Sequence, residues 1–517
     1  MQRIDLHSSQ ALFGVAATRA IEQAALRSTP AHSLMTRAGQ AAARLAIALA
    51  PHARCIWVAC GPGNNGGDGL VAATHLQQHA RASGSSLQVI VTHCADLARL
   101  PPDAAWALAQ ARACGVGFAD SPPDRFDLAI DALLGIGPLR PAQGALAEHL
   151  QRLQAAETPV LCVDLPSGLD ADTGQHLSGP LIRPPRGQRH TLSLLTLKPG
   201  LFTADGRDQA GTVWLDDLGI ETPGNAPVTA WLHAKGTATG LRAHATHKGT
   251  GGDVLVIGGQ GMASHGAGMA GAAILAARAA LHAGAGRVYL GLLEGSIPAP
   301  LTGWDPISPE IMFRTPAVLM GSQWPEQATV VCGCGGGAAI EALLPEVLER
   351  AHQLVLDADG LNHLASSAAL QTALRRRGSE GRSTVITPHP LEAARLLGID
   401  TQEVMADRLR ASQELANRFG ATCVLKGSGT VTCSAGGTPF INASGNALLA
   451  TAGTGDVLAG MIGAALAAPD HARPIALRTA DAVWHHGWRA DCWQAENLRT
   501  GEWRTLTADG LARGITR

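Results

Sequence analysis

Short apolar runs alternate with helix-length segments along almost all of this 517-residue chain, and no other feature constrains its fold as much. Such alternation demands parallel strands joined by helical crossovers, and so an α/β architecture with helices covering the sheets. In the first half the strand-like runs are CIWVAC (55–60), LQVIVTH (87–93), DLAIDALLG (127–135), VLCVDLPSG (160–168) and TLSLLTL (191–197). Two helical segments within residues 11–50 precede them. Residues 221–250 are polar, rich in Pro and Gly and without period, which sets a domain boundary near residue 230. The alternation then restarts with DVLVIGGQG (253–261) and the helix-like MAGAAILAARAALHAGAG (269–286). It ends on NALLATAGTGDVLAGMIGAALAA (446–468), a glycine turn running into an apolar helix. A chain of this length exceeds one ordinary domain, and the break gives two, 1–228 and 229–517.

Charge excludes several partners. A formal net charge of -2, with 46% hydrophobic and 16% charged residues, advertises neither nucleic acid nor an anionic membrane. No apolar run reaches the ~20 residues of a membrane-spanning helix, and Asp5 and His7 spoil a signal peptide. The 10 cysteines form no CxxC pair and suit a reducing cytosol, so the expected location is cytoplasmic. Cys332 and Cys334 read as small residues around a glycine turn rather than as metal ligands. Lysine is confined to Lys198, Lys235, Lys248 and Lys426, so each lysine's position carries information.

Ligands of parallel α/β sheets bind at the carboxyl ends of the strands. Three such ends in the first half are polar beyond what turns require: GPGNNGGD, DALLGIGPLRP and VDLPSGLDADTG. The spacing Gly61-x-Gly63-x-x-Gly66 is that of a dinucleotide-binding turn. Yet Asp68 sets a carboxylate where a helix N-terminus normally offers positive potential. The strand-end acid that would hold a ribose ~20 residues on is also missing, Asp96 being too distant, which speaks against hydride transfer. Asn65, Asp131 and Ser167 offer the oxygens a hard cation prefers, and Asp164 is placed for general acid/base work. Singly each has a structural reading: Asp131 a cap, Asp164 a turn before Pro166, the asparagines a positive φ. Together in one sheet they favour a site.

In the second half, GTGD (453–456) at a helix start offers N–H groups to a transferring phosphoryl group, with Asp456 as base or as a simple cap. Lys426 and Thr430 lie on a turn between two β-rich runs, as a nucleotide clamp would. His389 stands between Pro388 and Pro390 at another strand end.

GNNGGDGLVAATHL, DALLGIGPLRP, VDLPSGLDADTG, LKPGL and LMTRAG closely resemble the NAD(P)H-hydrate epimerase domain over residues 10–220. HKGTGGDVLVIGG, LDADGLN, TPHPLEAARLLG, VLKGSGTVT and the GTGD segment resemble the ADP-dependent NAD(P)H-hydrate dehydratases over 245–490. The resemblance implies an N-terminal Rossmann-like three-layer domain and a C-terminal ribokinase-like α/β domain. It implies substrate contacts at Asn64, Asn65, Gly66, Gly67 and Asp68, at Gly135, Ile136, Gly137, Pro138, Leu139, Arg140 and Pro141, and at Asp164. Potassium falls to Asn65, Asp131 and Ser167. In the second half it implies substrate contacts at Ala272, Gly335, His389 and Asp456. The nucleotide, ADP with Mg²⁺, falls to Lys426, Gly427, Ser428, Gly429, Thr430 and Gly455. Cys334 and Leu391 depart from the family's proline and glycine.

In this order the halves look like a bifunctional enzyme repairing hydrated NADH and NADPH. The epimerase exchanges the R and S hydrates at C6, and the dehydratase converts the S hydrate back to NADH or NADPH at the expense of ADP. Asp164 and Asp456 are the expected catalytic residues, and a homo-oligomer, with a tetramer as one form, is implied. The alternative is a ribokinase-like small-molecule kinase whose first half is a non-catalytic binding module.

Overall fold

A computed structural model describes residues 1–5, 8–94, 99–137, 141–177, 187–234, 244–262, 267–293, 304–470 and 472–514. Asp96, Pro138, Leu139 and Arg140 lie outside them. The chain forms two compact units, one of Met1–Asp5 and Gln10–Ala230, the other of Trp231–Arg517 with a short N-terminal stretch ending at Ser9. No described helix is long and apolar enough to cross a membrane.

The strands of the first unit are β1 (Gln2–Arg3), β2 (Gln10–Leu12), β3 (Cys55–Cys60), β4 (Gln88–His93), β5 (Gly117–Ala119), β6 (Leu128–Ala132), β7 (Val160–Val163), β8 (Arg189–Leu194) and β9 (Thr212–Asp216). All but β2 form one sheet in the order β1-β9-β8-β7-β6-β3-β4-β5, parallel except at β1. Alternate residues of β3 feed opposite faces. Ile56, Val58 and Cys60 pack with Leu45, Leu70, Leu76 and Leu108 from α2 (Ser33–Leu49), α3 (Asn64–Ser83) and α4 (Pro102–Ala113). Trp57 and Ala59 face the other way, onto Phe126 and onto Leu150 and Leu153 of α5 (Ala145–Gln154). Helices on both faces make three layers.

Two sequence expectations change here. The glycine-rich segment 64–69 is not a loop before a helix, because α3 begins at Asn64 and contains it. Neither Gly66 nor Gly67 has a positive φ. A Cβ at Gly66 would lie 2.1 Å from the Gly61 carbonyl oxygen, and one at Gly67 2.5 Å from the Met35 Cε. These glycines serve close packing, not a turn. The aperiodic stretch 221–250 also holds a strand, β10 (Ala230–His233), too short to show a period.

The second unit continues with β11 (Asp253–Gly258), β12 (Arg287–Leu292), β13 (Met312–Phe313), β14 (Thr329–Cys332), β15 (Gln353–Leu356), β16 (Thr384–Ile386), β17 (Thr422–Leu425), β18 (Val431–Ser434) and β19 (Phe440–Asn442). Their order is β13-β12-β11-β14-β15-β16-β17-β18-β19-β10. β17, β18 and β19 pair antiparallel, the others parallel. Val254, Val256, Val331 and Val355 are covered by alanines of the helix Ala270–His282 and by Leu458 and Ile462 of the helix Thr454–Ala467. Gly460 brings these helices together, since a Cβ there would lie 2.0 Å from the Ala276 carbonyl oxygen.

Candidate active sites

In the first sheet the strand order reverses between β3 and β6, where the carboxyl ends of a parallel sheet open a crevice. Asp131 lies in β6 rather than at a helix cap. Its Oδ1 accepts from Ser167 Oγ (2.6 Å) and the Leu133 N–H (3.2 Å), and its Oδ2 from the Ser167 N–H (3.0 Å). Both side chains are buried, and among the described residues Asp131 has no ion-pair partner. Burial pushes the Asp131 carboxyl up, opposed by the Ser167 and Leu133 hydrogen bonds. Asn65, in the first turn of α3, has a buried Nδ2 without a partner.

Asp164 follows β7 with φ +67°, a left-handed conformation uncommon outside glycine and most accessible to Asp and Asn. The fully buried Lys198 donates to its Oδ1, to Ser193 Oγ (3.2 Å) and to the Leu194 carbonyl (2.8 Å). Asp164 Oδ2 and Asn65 Oδ1 stand 3.3 and 3.4 Å from the position a Gly135 Cβ would take. A side chain at 135 would therefore crowd both groups.

Asn64, Asn65, Asp68, Gly135, Ile136, Gly137, Pro141 and Asp164 line one cavity of about 640 Å³. Gly66 and Gly67 are buried in the packing of α3 and do not line it, nor do Asp131 and Ser167. Sequence reasoning assigned no role to Lys198, or to Arg19 and Glu22 of α1 (Val15–Ser28), which also line it. Arg19 Nη2 donates to the Ile136 carbonyl (3.0 Å), tying α1 to the loop after β6. Burial, then Asp164, Glu22 and Asp103, pushes the Asp68 carboxyl well up. The carboxylate that looked misplaced at a helix start is thus driven toward its neutral form.

The second sheet reverses between β11 and β14. Cys334 and Gly335 follow β14, Asp357 follows β15, His389 follows β16 and Lys426 follows β17. Lys426 Nζ donates to Asp357 Oδ1 (2.8 Å) and lies 3.9 Å from Glu392 Oε2. It is also 3.4 Å from the position of a Cβ on Gly455. Burial works against the ammonium, but Asp357 and Glu392 hold Lys426 above the ordinary lysine value. Asp456, in the first turn of the helix Thr454–Ala467, offers a carboxylate oxygen within 4.8 Å of Asp357 and of Cys334 Sγ. Cys334 thus approaches two carboxylates and is not a metal pair with Cys332.

His389 caps the helix Pro390–Leu397, its Nδ1 accepting from the Leu391 (3.1 Å) and Glu392 (3.3 Å) N–H groups. Its Nε2 then carries the proton and lies 3.4 Å from Glu392 Oε1, with nearly half of the side chain exposed. Ala272 and Gly335 touch, a Cβ at Gly335 falling 2.8 Å from that of Ala272. Lys426 to Thr430 form the β17–β18 turn, where Thr430 Oγ1 donates to the Gly427 carbonyl (3.0 Å).

Burial, then Asp357, pushes Asp456 up to about 6. Burial raises Glu392 to about 7 against the pull of Lys426. A base at Asp456 works as the carboxylate, so its activity is present above pH about 6 and lost as pH falls through it. The dehydrating activity should decline about tenfold per pH unit on that acid limb. A rate profile flat down to pH 5 would exclude Asp456 as the base.

A family model described as NAD(P)H-hydrate dehydratase matches residues 254–512, and one described as YjeF-related protein N-terminus matches 31–200. The chain is 34% identical over 445 residues to the Escherichia coli bifunctional NAD(P)H-hydrate repair enzyme Nnr, covering 84% of this chain and 80% of that protein. It is 34% identical to the Leishmania braziliensis bifunctional NAD(P)H-hydrate repair enzyme, covering 92% and 88%. The Neisseria meningitidis ADP-dependent (S)-NAD(P)H-hydrate dehydratase is 42% identical over 48% of this chain and 80% of its own length. Among solved structures, the Bacillus subtilis ADP/ATP-dependent NAD(P)H-hydrate dehydratase co-crystallised with ATP/Mg²⁺ matches at TM-score 0.42 and 29% identity, over 53% of this chain and 90% of that one.

Proposed function

Because this chain belongs to the bifunctional NAD(P)H-hydrate repair enzymes, we propose that its two units divide the repair, residues 1–228 epimerising and residues 229–517 dehydrating. The R and S hydrates of NADH and NADPH are exchanged, and the S hydrate is dehydrated with ADP. The observation that carries the division is that each unit gathers its own set of polar residues at its own strand-order reversal. Mixed hydrate epimers incubated with and without ADP test it. Exchange alone is expected without nucleotide, and full recovery of NAD(P)H with it. The kinase alternative finds no support, because the repair enzymes match over most of the chain.

In the first unit the C6–O bond breaks and reforms on the other face, Asp164 passing the proton to and from that oxygen, while Asn64, Asn65, Asp68 and the loop from Gly135 to Pro141 hold the nucleotide. The Lys198 ion pair supports this role by holding the Asp164 carboxylate in a fixed orientation. Asn65, Asp131 and Ser167 would hold a potassium ion. A buried carboxylate with no ion-pair partner among the described residues, beside the Ser167 hydroxyl, offers oxygens suited to a hard cation. When bound, the ion would supply positive charge near the substrate. Exchange should then depend on K⁺ and fall when Li⁺ replaces it. Asp131→Ala should remove that dependence and leave dehydration intact.

In the second unit Asp456 accepts the C6 hydroxyl proton as that oxygen takes the terminal phosphoryl group of ADP and AMP is released. The phosphate, now a good leaving group, departs from C6 with loss of a proton from the neighbouring ring carbon. The Lys426 ammonium and the N–H groups at Gly455 and along 427–430 would balance charge on the diphosphate, with Mg²⁺ bound mainly through phosphate oxygens and water. Ala272, Gly335 and His389 are assigned to the substrate. A cytoplasmic location is inferred from ten free cysteines. A homo-oligomer is what the resemblance to the repair enzymes implies, and it would cover exposed residues such as Leu498 (72%) and Trp503 (67%). Sedimentation as a monomer would exclude it.

A further inference from the structure

Beneath the 426–430 turn lies a cation that the mechanism does not use. Arg408 opens the helix Arg408–Phe419, is 1% exposed, and has no carboxylate within ion-pair distance among the described residues. Its Nη1 donates to the Lys426 carbonyl (3.3 Å), and its Nη2 to those of Leu425 (3.3 Å) and Gly429 (3.5 Å). Nη1 also meets Met405 Sδ at 3.8 Å, and Nε has no partner. Burial pulls the guanidinium down to about 10. Burying a charge this way is costly, and three long bonds to neutral carbonyls offset little of it. Packing alone would be served by a neutral side chain.

The peptide plane shows what the cation does. A planar trans peptide points its C=O and the next N–H in opposite directions. With the carbonyls of Lys426 and Gly429 drawn onto the guanidinium, the N–H groups of Gly427 and Thr430 face away from it. Neither N–H makes a hydrogen bond among the described residues, whereas the neighbouring Lys426 N–H is used by the Pro388 carbonyl (2.9 Å). Gly427 has φ +139°, and a Cβ there would sit 2.5 Å from Arg408 Nη1. The turn can approach the guanidinium so closely only with glycine at that position. Two free N–H groups beside Lys426, with a buried positive charge behind them, make a receptor for an anion.

We propose that Arg408 is a positioning residue for the diphosphate of the nucleotide, drawing the turn's carbonyls inward so that its N–H groups are presented to the phosphate oxygens. This rests on the reading of 426–430 as the nucleotide turn. Arg408→Met keeps the volume and removes the charge and donors. In the full-length enzyme, with the S hydrate saturating, it should raise KM for ADP about 10–100-fold, the loss of one or two charge-assisted hydrogen bonds. kcat should stay within about threefold, and epimer exchange should not change. Arg408→Lys should recover part of the ADP affinity, which a merely structural role would not produce. Should Arg408→Met fail to fold, Gly427→Ala crowds the same contact with the arginine intact and should give the same KM effect. KM for ADP unchanged in these variants, while Lys426→Ala raises it, overturns the role of Arg408. KM unchanged in Lys426→Ala as well overturns the reading of the turn.

Discussion

Replacing Asp456 by alanine is expected to lower dehydration about 10²–10⁴-fold, the usual contribution of a positioned general base, while R and S hydrates continue to exchange at the full rate. Asp456 stands in the first turn of a rigid helix, beside Asp357 and Cys334. The like charge of Asp357 and burial together raise its pKa. Removing the carboxylate therefore relieves repulsion, and the melting temperature at pH 7 should equal or exceed that of the parent. A loss of rate without a loss of stability marks a chemical role rather than a packing role. If exchange falls in parallel in a folded protein, the two activities do not sit at separate sites.

Asp164→Asn should slow exchange by a similar factor, about 10²–10⁴-fold, with hydrate affinity changed far less. Asparagine tolerates the left-handed backbone at 164, so the substitution adds little torsional strain. It nevertheless has a second consequence that shape alone would not reveal. Lys198 is fully buried, and with asparagine at 164 its ammonium keeps neutral acceptors only, the amide oxygen, Ser193 Oγ and the Leu194 carbonyl, and loses its counter-charge. Breaking one side of a buried pair costs about 3–5 kcal/mol, so the first unit should melt lower. Adding Lys198→Met should restore the melt without restoring exchange. Normal exchange in Asp164→Asn would make the carboxylate structural and turn attention to Asp68, whose environment favours the protonated form.

What the sequence made legible was whatever rests on local pattern. Strand and helix alternation gave the α/β class, and GTGD, LKGSGT and the three polar strand ends fell where a parallel sheet places its ligands. The partner of Asp164 was not legible, because Lys198 reaches it from another strand's end, 34 residues away. Only the scarcity of lysine marked that position. Arg408 was invisible for a different reason. On a helix that also carries the exposed Arg410 and the half-buried Arg418, nothing in the spacing separates a buried guanidinium from a solvated one, since the difference is made by the turn lying over it. β10 escaped because four residues carry no measurable period.

The glycines of α3 bear on how this site could vary. Their torsions are ordinary, so easing the backbone would not compensate for a side chain at Gly66 or Gly67. What they set is a clearance, the gap between a helix and the strand and helix behind it. At Gly66, where the obstacle is the Gly61 backbone, one added methyl group would have to push the start of α3 outward as a block, and Asn64, Asn65 and Asp68 would travel with it, away from Asp164 and Gly135. A variant of this kind could keep every polar group and its charge, and still fail because the two walls of the pocket had been set at the wrong width.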